Sequence, residues 1–405
     1  MKKVELLAPA GSLTKLKTAL YYGADAVYCG GKSLSLRSFA ENFTDEEFLE
    51  AVKFTHDLGK KIYVTVNVYA KNADFEKIKN YLQFLYNANV DAVIVSDPGV
   101  FSVAREVVPN LSVHISTQAN TLNKYSAAFW ANLGATRIIL ARELSLKEIK
   151  EIREFLPDNI ELEAFCHGAM CISYSGRCLL SDYFTGRSSN SGACVQACRW
   201  NYSIRESKSN GEFYDITEDE RGTYIMNSKD LNMIDELDKM AEAGICSFKI
   251  EGRMKSEYYL ATVVNAYRRA FDAYYAQGTN YKENTLYNNE VLKTNHRAFT
   301  KAYMFGKNTQ TVNYDDTQSV GERTFIAVVL DYNEQTKTAT IEMRNRFIVG
   351  DTLEVLTPYD YLNCKILVEN LTDLDGKPVL DAKIVQQKLL LKTDIKLHAG
   401  DILRK

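Results

Sequence analysis

The segments DAVIVS (91–96), SVHISTQ (112–118) and TRIILA (136–141) follow one another along the chain, each separated from the next by a helical pattern. Similar short apolar or β-branched runs occur at 5–9, 26–30, 61–67, 161–167 and 246–252. Strands that alternate with helices are typical of βαβ units and a parallel sheet. Because eight such strands fit a closed barrel better than an open sheet, the sequence predicts an α/β fold of the TIM-like (β/α)8 barrel type.

Changes in the sequence pattern along the chain predict three structural parts. A barrel is expected over residues 1–290, with a cysteine-rich insertion at 168–222 between the seventh and eighth strands. Residues 291–322 are expected to form a connecting helical segment. From 323 to 405 the chain has short strands without helical spacing, and its two Gly-Asp pairs suit turns, so this part is predicted to be a small β-barrel domain.

The amino-acid composition limits the classes of protein to which the chain can belong. The chain has 405 residues, of which 46% are hydrophobic, enough to bury a large core. Its N-terminus, MKKVELLAPAG, lacks the apolar run of a secretory signal, and no uninterrupted apolar stretch reaches the length of about 18 residues that spans a membrane. A soluble, cytoplasmic protein without membrane contact is therefore expected. The net charge of -3 does not indicate nucleic-acid binding by the protein as a whole, but it is compatible with a local basic patch.

Polar residues recur at alternate positions of the predicted strands. Because successive strand residues face opposite sides, one set of side chains faces the helices and the other faces the barrel interior. Unpaired buried polar groups cost about 1–3 kcal/mol each, so several of them near the C-terminal strand ends indicate a ligand-binding mouth. The alternative is that they satisfy one another in a packed core. The residues concerned are Asn67, Ser96, His114, Ser116, Gln118, Glu143, Glu163, His167, Lys249 and Glu251.

The insertion contains four closely spaced cysteines, Cys171, Cys178, Cys194 and Cys198, separated by six, fifteen and three residues. A cytoplasmic protein rarely uses cysteines for disulfides, so a cluster of thiols is better interpreted as a metal site. Four thiolates suit an iron-sulfur cluster or zinc, and the spacing does not choose between these two and metal-free thiols. Cys166 is expected to stay outside the site as a small buried residue, because its neighbour His167 should face the opposite side of the strand.

At ELEAFCHGAMCISYSGRC (161–178) the sequence resembles the collagenase-like peptidase family, a group of peptidases of unknown mechanism that includes bacterial tRNA hydroxylation proteins. The resemblance continues along the chain. Two departures from the family pattern, Ser191 in place of an arginine and Ala197 in place of a proline, leave all four insertion cysteines in place. The further matching segments are ELLAPAGS (5–12), LRSFAENF (36–43), ILARELSLKEI (139–149), GACVQACRW (192–200), MNSKDL (226–231), FKIEGRMKS (248–256) and GDILRK (400–405).

The resemblance implies a barrel, an iron-sulfur cluster of the 4Fe-4S type on the four insertion cysteines, and hydroxylation of the wobble uridine of tRNA to 5-hydroxyuridine. Related members act on ribosomal RNA. The tRNA branch looks dependent on prephenate, so the expected partners are tRNA and this acidic metabolite, with a second related subunit left open. The terminal β-domain is similar to those of translation factors.

These expectations assign roles to the polar residues. Glu163, His167, Lys249 and Glu251 are the catalytic candidates, because they could handle protons or orient a substrate. The alternative for Lys249 and Glu251 is a buried ion pair with each other. Tyr174, Tyr183 and Trp200 of the insertion could stack on an unpaired base or form the core of the lobe. The candidate substrate-binding residues, whose arginines could hold phosphate or carboxylate, are Arg37, Asn67, Ser96, His114, Gln118, Arg142, Glu143 and Arg253.

Two other functions compete with RNA modification. A peptidase is suggested by the family's name, but the sequence has no HExxH zinc motif and no GxSxG nucleophile elbow. A triad assembled from distant residues would not be visible as a motif. The third alternative is a non-catalytic RNA-binding or protein-binding partner in which the metal site is structural.

Overall fold

The computed structural model describes residues 4–31, 43–171, 173–174, 177–187, 194–200, 218–219, 222–223, 228–278, 285–306 and 321–405. The strands before residue 306 are β1 (Glu5–Pro9), β2 (Ala26–Cys29), β3 (Lys61–Val66), β4 (Ala92–Val95), β5 (Ser112–Ile115), β6 (Arg137–Ile139), β7 (Glu161–Ala169), β8 (Glu218–Asp219), β9 (Gly222–Thr223), β10 (Asp230–Asn232), β11 (Ser247–Ile250) and β12 (Phe299–Thr300). The α-helices are α1 (Leu13–Tyr21), α2 (Asp45–Asp57), α3 (Phe75–Asn87), α4 (Pro98–Val107), α5 (Lys124–Asn132), α6 (Leu146–Phe155), α7 (Leu180–Thr185), α8 (Leu237–Glu242), α9 (Glu257–Gln277) and α10 (Thr285–Leu292).

Eight parallel strands form a closed barrel. Each strand from β1 to β6 pairs with the next one along the chain, and β11 pairs with both β1 and β7, which closes the ring. All eight strands lie where the apolar runs of the sequence predicted them. The TIM-like barrel is therefore confirmed.

Local signals fix where the surrounding helices begin. Ser12 accepts a hydrogen bond from the backbone of Lys15 at the start of α1, and Asp97 caps α4, whose first residue is proline. Thr44 before α2 and Ser145 before α6 each form a reciprocal capping box with a glutamate three residues later. Such caps satisfy backbone N–H groups that have no partner within the helix.

The chain after β7 departs from a simple barrel. β10 pairs antiparallel with the end of β7, and β12 pairs with β10, so a two-strand extension lies beside the barrel. The prediction that 291–322 is helical is wrong for its described residues after Leu292, where α10 ends. The physical reason is pairing with the extension, because the Asp230 carboxylate accepts the backbone N–H of Arg297 and its backbone bonds to Ala298.

The C-terminal part is an antiparallel β-domain. Its main sheet has the order β17-β16-β21-β13-β14-β20-β18, and among the described residues no pairing joins the two end strands. The predicted all-β domain is thus confirmed as an antiparallel sheet, while closure into a barrel is not seen. Its strands are β13 (Phe325–Asn333), β14 (Thr338–Met343), β15 (Phe347–Ile348), β16 (Thr352–Leu356), β17 (Lys365–Leu367), β18 (Leu371–Thr372), β19 (Asp381–Ala382), β20 (Lys388–Lys392) and β21 (Ile402–Arg404).

Buried polar contacts join the β-domain to the barrel. Arg404 is fully buried, and its Nη2 atom lies 2.7 Å from Oε2 of Glu290 on α10. Its Nε atom donates to Oε1 of Glu354 on β16 at 2.8 Å. The hydroxyl of Tyr22, at the end of α1, donates to the backbone oxygen of Leu356 at 2.9 Å.

None of the helices in the described ranges could span a lipid bilayer.

Candidate active site at the barrel mouth

A buried ionic layer lies inside the barrel, below the C-terminal ends of its strands. Arg137 of β6 is its centre, with Nη1 at 2.6 Å from Oε1 of Glu5 and 3.1 Å from Oε2 of Glu163. Tyr63 of β3 donates to Oε2 of Glu5 at 2.6 Å, and Ser247 of β11 donates to Oε1 of Glu5 at 2.8 Å. Pairing offsets the cost of removing these charges from water. Because the contacts come from β1, β3, β6, β7 and β11, the layer links five strands.

Lys249 occupies the next level of the interior, two residues along β11 from Ser247. Its Nζ atom lies 2.8 Å from Oε1 of Glu163 and 4.3 Å from the centre of the Tyr28 ring. Burial lowers the pKa of the Lys249 ammonium, and the Glu163 carboxylate opposes that shift. Both residues face the interior as predicted. The alternative pairing of Lys249 with Glu251 is wrong, because Lys249 reaches across to β7 instead.

Above this level a cavity opens at the C-terminal ends of the strands, here called the barrel mouth. This is the end at which barrel enzymes place their active sites. Seven of the predicted site residues or metal ligands contribute to its wall: Asn67, Gln118, Arg142, Cys171, Lys249, Glu251 and Arg253. The other residues that line it are Tyr28, Thr65, Ile94, Ser116, Thr117, Ile139 and Phe165.

One side of the mouth is formed by amides and hydroxyls. The side chain of Asn67 donates to Oε1 of Gln118 at 2.9 Å, linking the ends of β3 and β5. Ser96 is buried beneath them, and its hydroxyl donates to the backbone oxygen of Asn67 at 3.1 Å. Ser96 therefore positions Asn67 rather than lining the cavity.

Two arginines also line the mouth. The guanidinium carbon of Arg142 lies 3.9 Å from the centre of the Phe165 ring, and its Nη1 atom lies 4.0 Å from Sγ of Cys171. Arg253 is largely buried and donates from Nη1 to the hydroxyl of Thr65 at 3.0 Å. The mouth therefore offers positive charge to an anionic ligand beside one of the insertion cysteines.

His114 lies deeper than the predicted binding wall. Its ring is buried, with its centre 4.7 Å from that of Tyr63, and Nδ1 has no hydrogen-bond partner in the described part of the chain. Burial lowers the pKa of His114 well below its usual value, and the nearby cations Arg137 and Lys249 act in the same direction. A neutral imidazole in the barrel interior follows from this environment.

The prediction that His167 faces the interior is wrong. Phe165 lies opposite Lys249, but His167 lies opposite Ile250, so β7 has one extra residue at Cys166. This bulge reverses the alternation of side chains. The His167 ring consequently packs on the outside of the barrel, 5.4 Å from Tyr267 and 5.5 Å from Phe299 between ring centres. Burial lowers the pKa of His167 to about 3.

The remaining candidates divide between the mouth and its surroundings. The Glu251 side chain lines the mouth, two residues beyond Lys249 on the same side of the strand. Glu143 is half-buried after β6, and it is not among the cavity-lining residues. Arg37 lies outside the described residues. Cys166 is fully buried, and burial raises the pKa of its thiol well above the ordinary value, in agreement with its predicted place outside the site.

The four insertion cysteines all lie in described segments. No disulfide joins any of the eight cysteines, all of which the structure describes. Gln196 donates its backbone N–H to Sγ of Cys194 at 3.4 Å, a contact that suits a thiolate ligand. Thiol chemistry therefore fits an iron-sulfur cluster or zinc. Within the described ranges, however, no three His, Cys, Asp or Glu side chains are arranged to hold a metal ion, so the four-cysteine site stays a prediction.

Three important residues were not singled out from the sequence. Thr65 and Tyr63 precede Asn67 by two and four residues on β3, so the alternation that selected Asn67 would also have found them. Arg137 begins β6 between Thr136 and Ile138, and nothing in its local sequence distinguishes a buried arginine from a surface one. Its role depends on Glu5, Glu161 and Glu163, which come from two other strands.

Comparison with known proteins covers nearly the whole chain. The sequence profile described as Peptidase family U32 matches residues 11–314, and that of the Peptidase family U32 C-terminal domain matches residues 322–404. The two matches meet close to the start of the β-domain.

Three curated relatives carry different names. The tRNA hydroxylation protein P1 of Bacillus subtilis is 41% identical over 414 residues, covering 100% of this chain and 95% of the relative. A 23S rRNA 5-hydroxycytidine synthase of Escherichia coli is 33% identical and covers 79% of this chain and 48% of the relative. A protein named collagenase from Porphyromonas gingivalis is 31% identical and covers 87% of this chain and 86% of the relative. The chain belongs to peptidase family U32.

Proposed function

We propose that this protein takes part in RNA modification, hydroxylating the wobble uridine of tRNA to 5-hydroxyuridine. The observation that carries the proposal is the position of Arg142, which lines the mouth and lies 4.0 Å from the sulfur of Cys171. A cationic opening beside a thiol of the candidate cluster suits a redox reaction on an anionic substrate. The similarity along the full length to a tRNA hydroxylation protein supports the same function.

The redox cofactor in this proposal is an iron-sulfur cluster of the 4Fe-4S type on Cys171, Cys178, Cys194 and Cys198. When bound, such a cluster supplies one-electron transfer. The support is the chemistry of the donors, four thiols outside any disulfide, of which Cys171 lies at the mouth. Zinc is the alternative occupant, and it would make the site structural or hydrolytic instead of redox-active.

The small-molecule partner is prephenate, a dicarboxylate. Arg142 and Arg253 would hold its carboxylates, because a guanidinium can pair with a carboxylate through two parallel hydrogen bonds. Asn67 and Gln118, which line the same cavity, supply neutral hydrogen-bonding groups for its hydroxyl and carbonyl oxygens. Phe165 holds the Arg142 guanidinium in place by stacking, so little side-chain freedom is lost when the ligand binds.

Lys249 and Glu163 are the proton-handling pair of the proposed reaction. Their 2.8 Å contact is short enough for direct proton transfer, and Arg137 orients the second oxygen of Glu163. Glu251 at the mouth could exchange protons with solvent. His167 has no such role, because it lies outside the barrel.

Contact with tRNA would involve the insertion lobe. The Tyr183 side chain is 82% exposed and lies 5.1 Å from the Phe184 ring, so it does not belong to the core of the lobe and is available to stack on an unpaired base. The cytoplasm is the expected compartment, because tRNA is modified there. A second related subunit could complete the RNA-binding surface.

The experiment that tests the function is nucleoside analysis of tRNA. Deleting the gene should remove 5-hydroxyuridine from digested tRNA, and the wild-type gene supplied on a plasmid should restore it. An unchanged nucleoside profile would refute the proposal. The peptidase alternative has less support, because the adjacent Cys166 and His167 are both buried away from the mouth and form no accessible nucleophile and base.

A further inference from the structure

We propose that Lys249 holds a 2-oxo acid covalently at the barrel mouth, as a protonated imine between its Nζ atom and the ketone carbon of the ligand. The inference rests on the proposed function, since prephenate contains a 2-oxo acid group. It goes beyond that function by assigning a covalent bond to one residue.

The first support is the place of Lys249 in the fold. It lines the mouth, yet its side chain is only 5% exposed, with its charged end 4.3 Å from the centre of the Tyr28 ring and 5.6 Å from that of Phe165. An amine between aromatic walls is poorly hydrated. Because a lysine must lose its proton before it attacks a carbonyl, such an environment favours a nucleophilic amine.

The second support is the charge around the amine. Burial lowers the pKa of Lys249, and the nearby Arg137 and Arg142 guanidiniums lower it further, while Glu163 opposes them. Glu163 is also the base nearest to the amine, at 2.8 Å. Arg137 holds its other oxygen at 3.1 Å, which fixes the carboxylate in the orientation that faces Lys249.

The third support is the position of Arg142 relative to Lys249. Both cations contact the same Phe165 ring, the guanidinium carbon of Arg142 at 3.9 Å and Nζ of Lys249 at 5.6 Å from its centre. A 2-oxo acid has a carboxylate directly bonded to its ketone carbon. Arg142 can therefore pair with the carboxylate while the ketone carbon meets the lysine amine.

The bonding changes balance without any oxidant or reductant. Glu163 accepts a proton from the ammonium, and the neutral amine attacks the ketone carbon to form a carbinolamine. The carbinolamine oxygen then leaves as water, with protons that come from the amine, one of them through Glu163. The product is a protonated imine that keeps the positive charge beside Glu163. The ionic layer therefore remains neutralised after the bond forms.

The test is chemical trapping on the full-length protein. The protein is incubated with prephenate, or with pyruvate as a stable 2-oxo acid probe, then reduced with sodium borohydride and analysed by peptide mass spectrometry. We expect a reduced adduct on the peptide that contains Lys249. Wild-type protein that gives no adduct with either acid would overturn the proposal, as would equal labelling of Lys255, a lysine on the loop after β11.

Variants then connect the adduct to activity. Lys249→Arg keeps the positive charge but cannot form an imine, so the adduct and the restoration of 5-hydroxyuridine should both be lost, while Lys255→Arg should retain both. Full hydroxylation by Lys249→Arg would overturn the proposal. The trapping experiment does not depend on tRNA, so the imine can fail while the nucleoside assay still supports hydroxylation, and the reverse outcome is equally recognisable.

Discussion

The guanidinium of Arg142 stacks on Phe165, with its carbon atom 3.9 Å from the ring centre, and this contact fixes a cation at the rim of the barrel mouth. The two residues come from different β/α units, Arg142 from the loop after β6 and Phe165 from β7. Stacking leaves the edge of the guanidinium available for hydrogen bonds to a ligand. A lysine in place of Arg142 would keep the positive charge, but its ammonium group could not both stack on Phe165 and offer paired hydrogen bonds to a ligand.

Replacing Arg142 should therefore impair anion binding at the mouth. A hydrogen bond to a charged group is worth about 1.5–3 kcal/mol, so Arg142→Ala should lower 5-hydroxyuridine formation roughly 10-fold to 100-fold at limiting prephenate. Arg142→Lys should recover only part of the loss. The measurement is the 5-hydroxyuridine content of tRNA from a deletion strain that expresses each variant. Arg346→Ala, which removes an exposed arginine of the β-domain, is the control and should behave like wild type. Normal modification by Arg142→Ala would contradict the assignment.

Metal content provides a separate prediction for the insertion. We expect every single serine substitution among the four insertion cysteines, Cys171, Cys178, Cys194 and Cys198, to prevent cluster binding, because a cluster needs every thiolate ligand. Each variant, purified anaerobically, should lose the broad absorption near 400 nm and most of its iron and sulfide. Cys364→Ser is the matched control, since Cys364 is exposed in the β-domain and should leave the iron content unchanged. Colourless wild-type protein with one zinc per chain would rule out the cluster.

The barrel was predictable from the sequence because its strands are short apolar runs in regular alternation with helices. The interior positions of His114, Glu163 and Lys249 followed from alternation alone, and contacts to Tyr63 and Arg137 confirm their orientation. His167 could not be assigned in this way. The extra residue at Cys166 reverses the pattern, and a bulge depends on the pairing partner β11 rather than on the sequence of β7.

Contacts between distant segments were also beyond the sequence. Lys249 has Glu251 two residues away, yet it pairs with Glu163, which is 86 residues distant in sequence. Similarly, β12 replaced a predicted helix because it pairs with β10, a partner that local propensity does not reveal. The sequence pattern thus predicts which side of a strand is polar. Which charged side chains pair with one another is determined by the strands that the closed barrel brings together.

The buried His167 should make folding sensitive to acid. Its pKa is about 3 in the folded protein against an ordinary value of 6.5, mainly because burial disfavours the charged ring. Above pH 6.5 the residue is neutral in both states and its environment carries no protonation cost. As the pH falls from 6.5 towards 3, only the unfolded state gains the proton, so stability is lost, by at most about 5 kcal/mol.

The measurement is the urea midpoint as a function of pH. The variant His167→Gln lacks this titration, so its midpoint should fall less steeply between pH 6.5 and pH 4 than that of wild type. Some acid sensitivity should remain, because burial also lowers the pKa of His114. Gln335→Ala, which changes an exposed side chain that does not titrate, is the control and should keep the wild-type slope. Parallel curves for wild type and His167→Gln would show that His167 does not control acid stability.

Arg404 should be essential for joining the β-domain to the barrel. It is fully buried between Glu290 of α10 and Glu354 of β16, with contacts of 2.7 Å and 2.8 Å. Arg404→Met would leave Glu290 and Glu354 with Lys293 as the cation they share, and breaking a buried pair in this way costs about 3–5 kcal/mol. The free energy of unfolding in urea should fall by that amount. The neighbouring Lys405 is half-exposed and pairs with Asp351, so Lys405→Met is a matched control expected to lose at most about 1 kcal/mol. Equal losses for the two variants would mean that burial of the Arg404 pair contributes nothing special, and a more stable Arg404→Met protein would show that desolvation outweighs pairing at this interface.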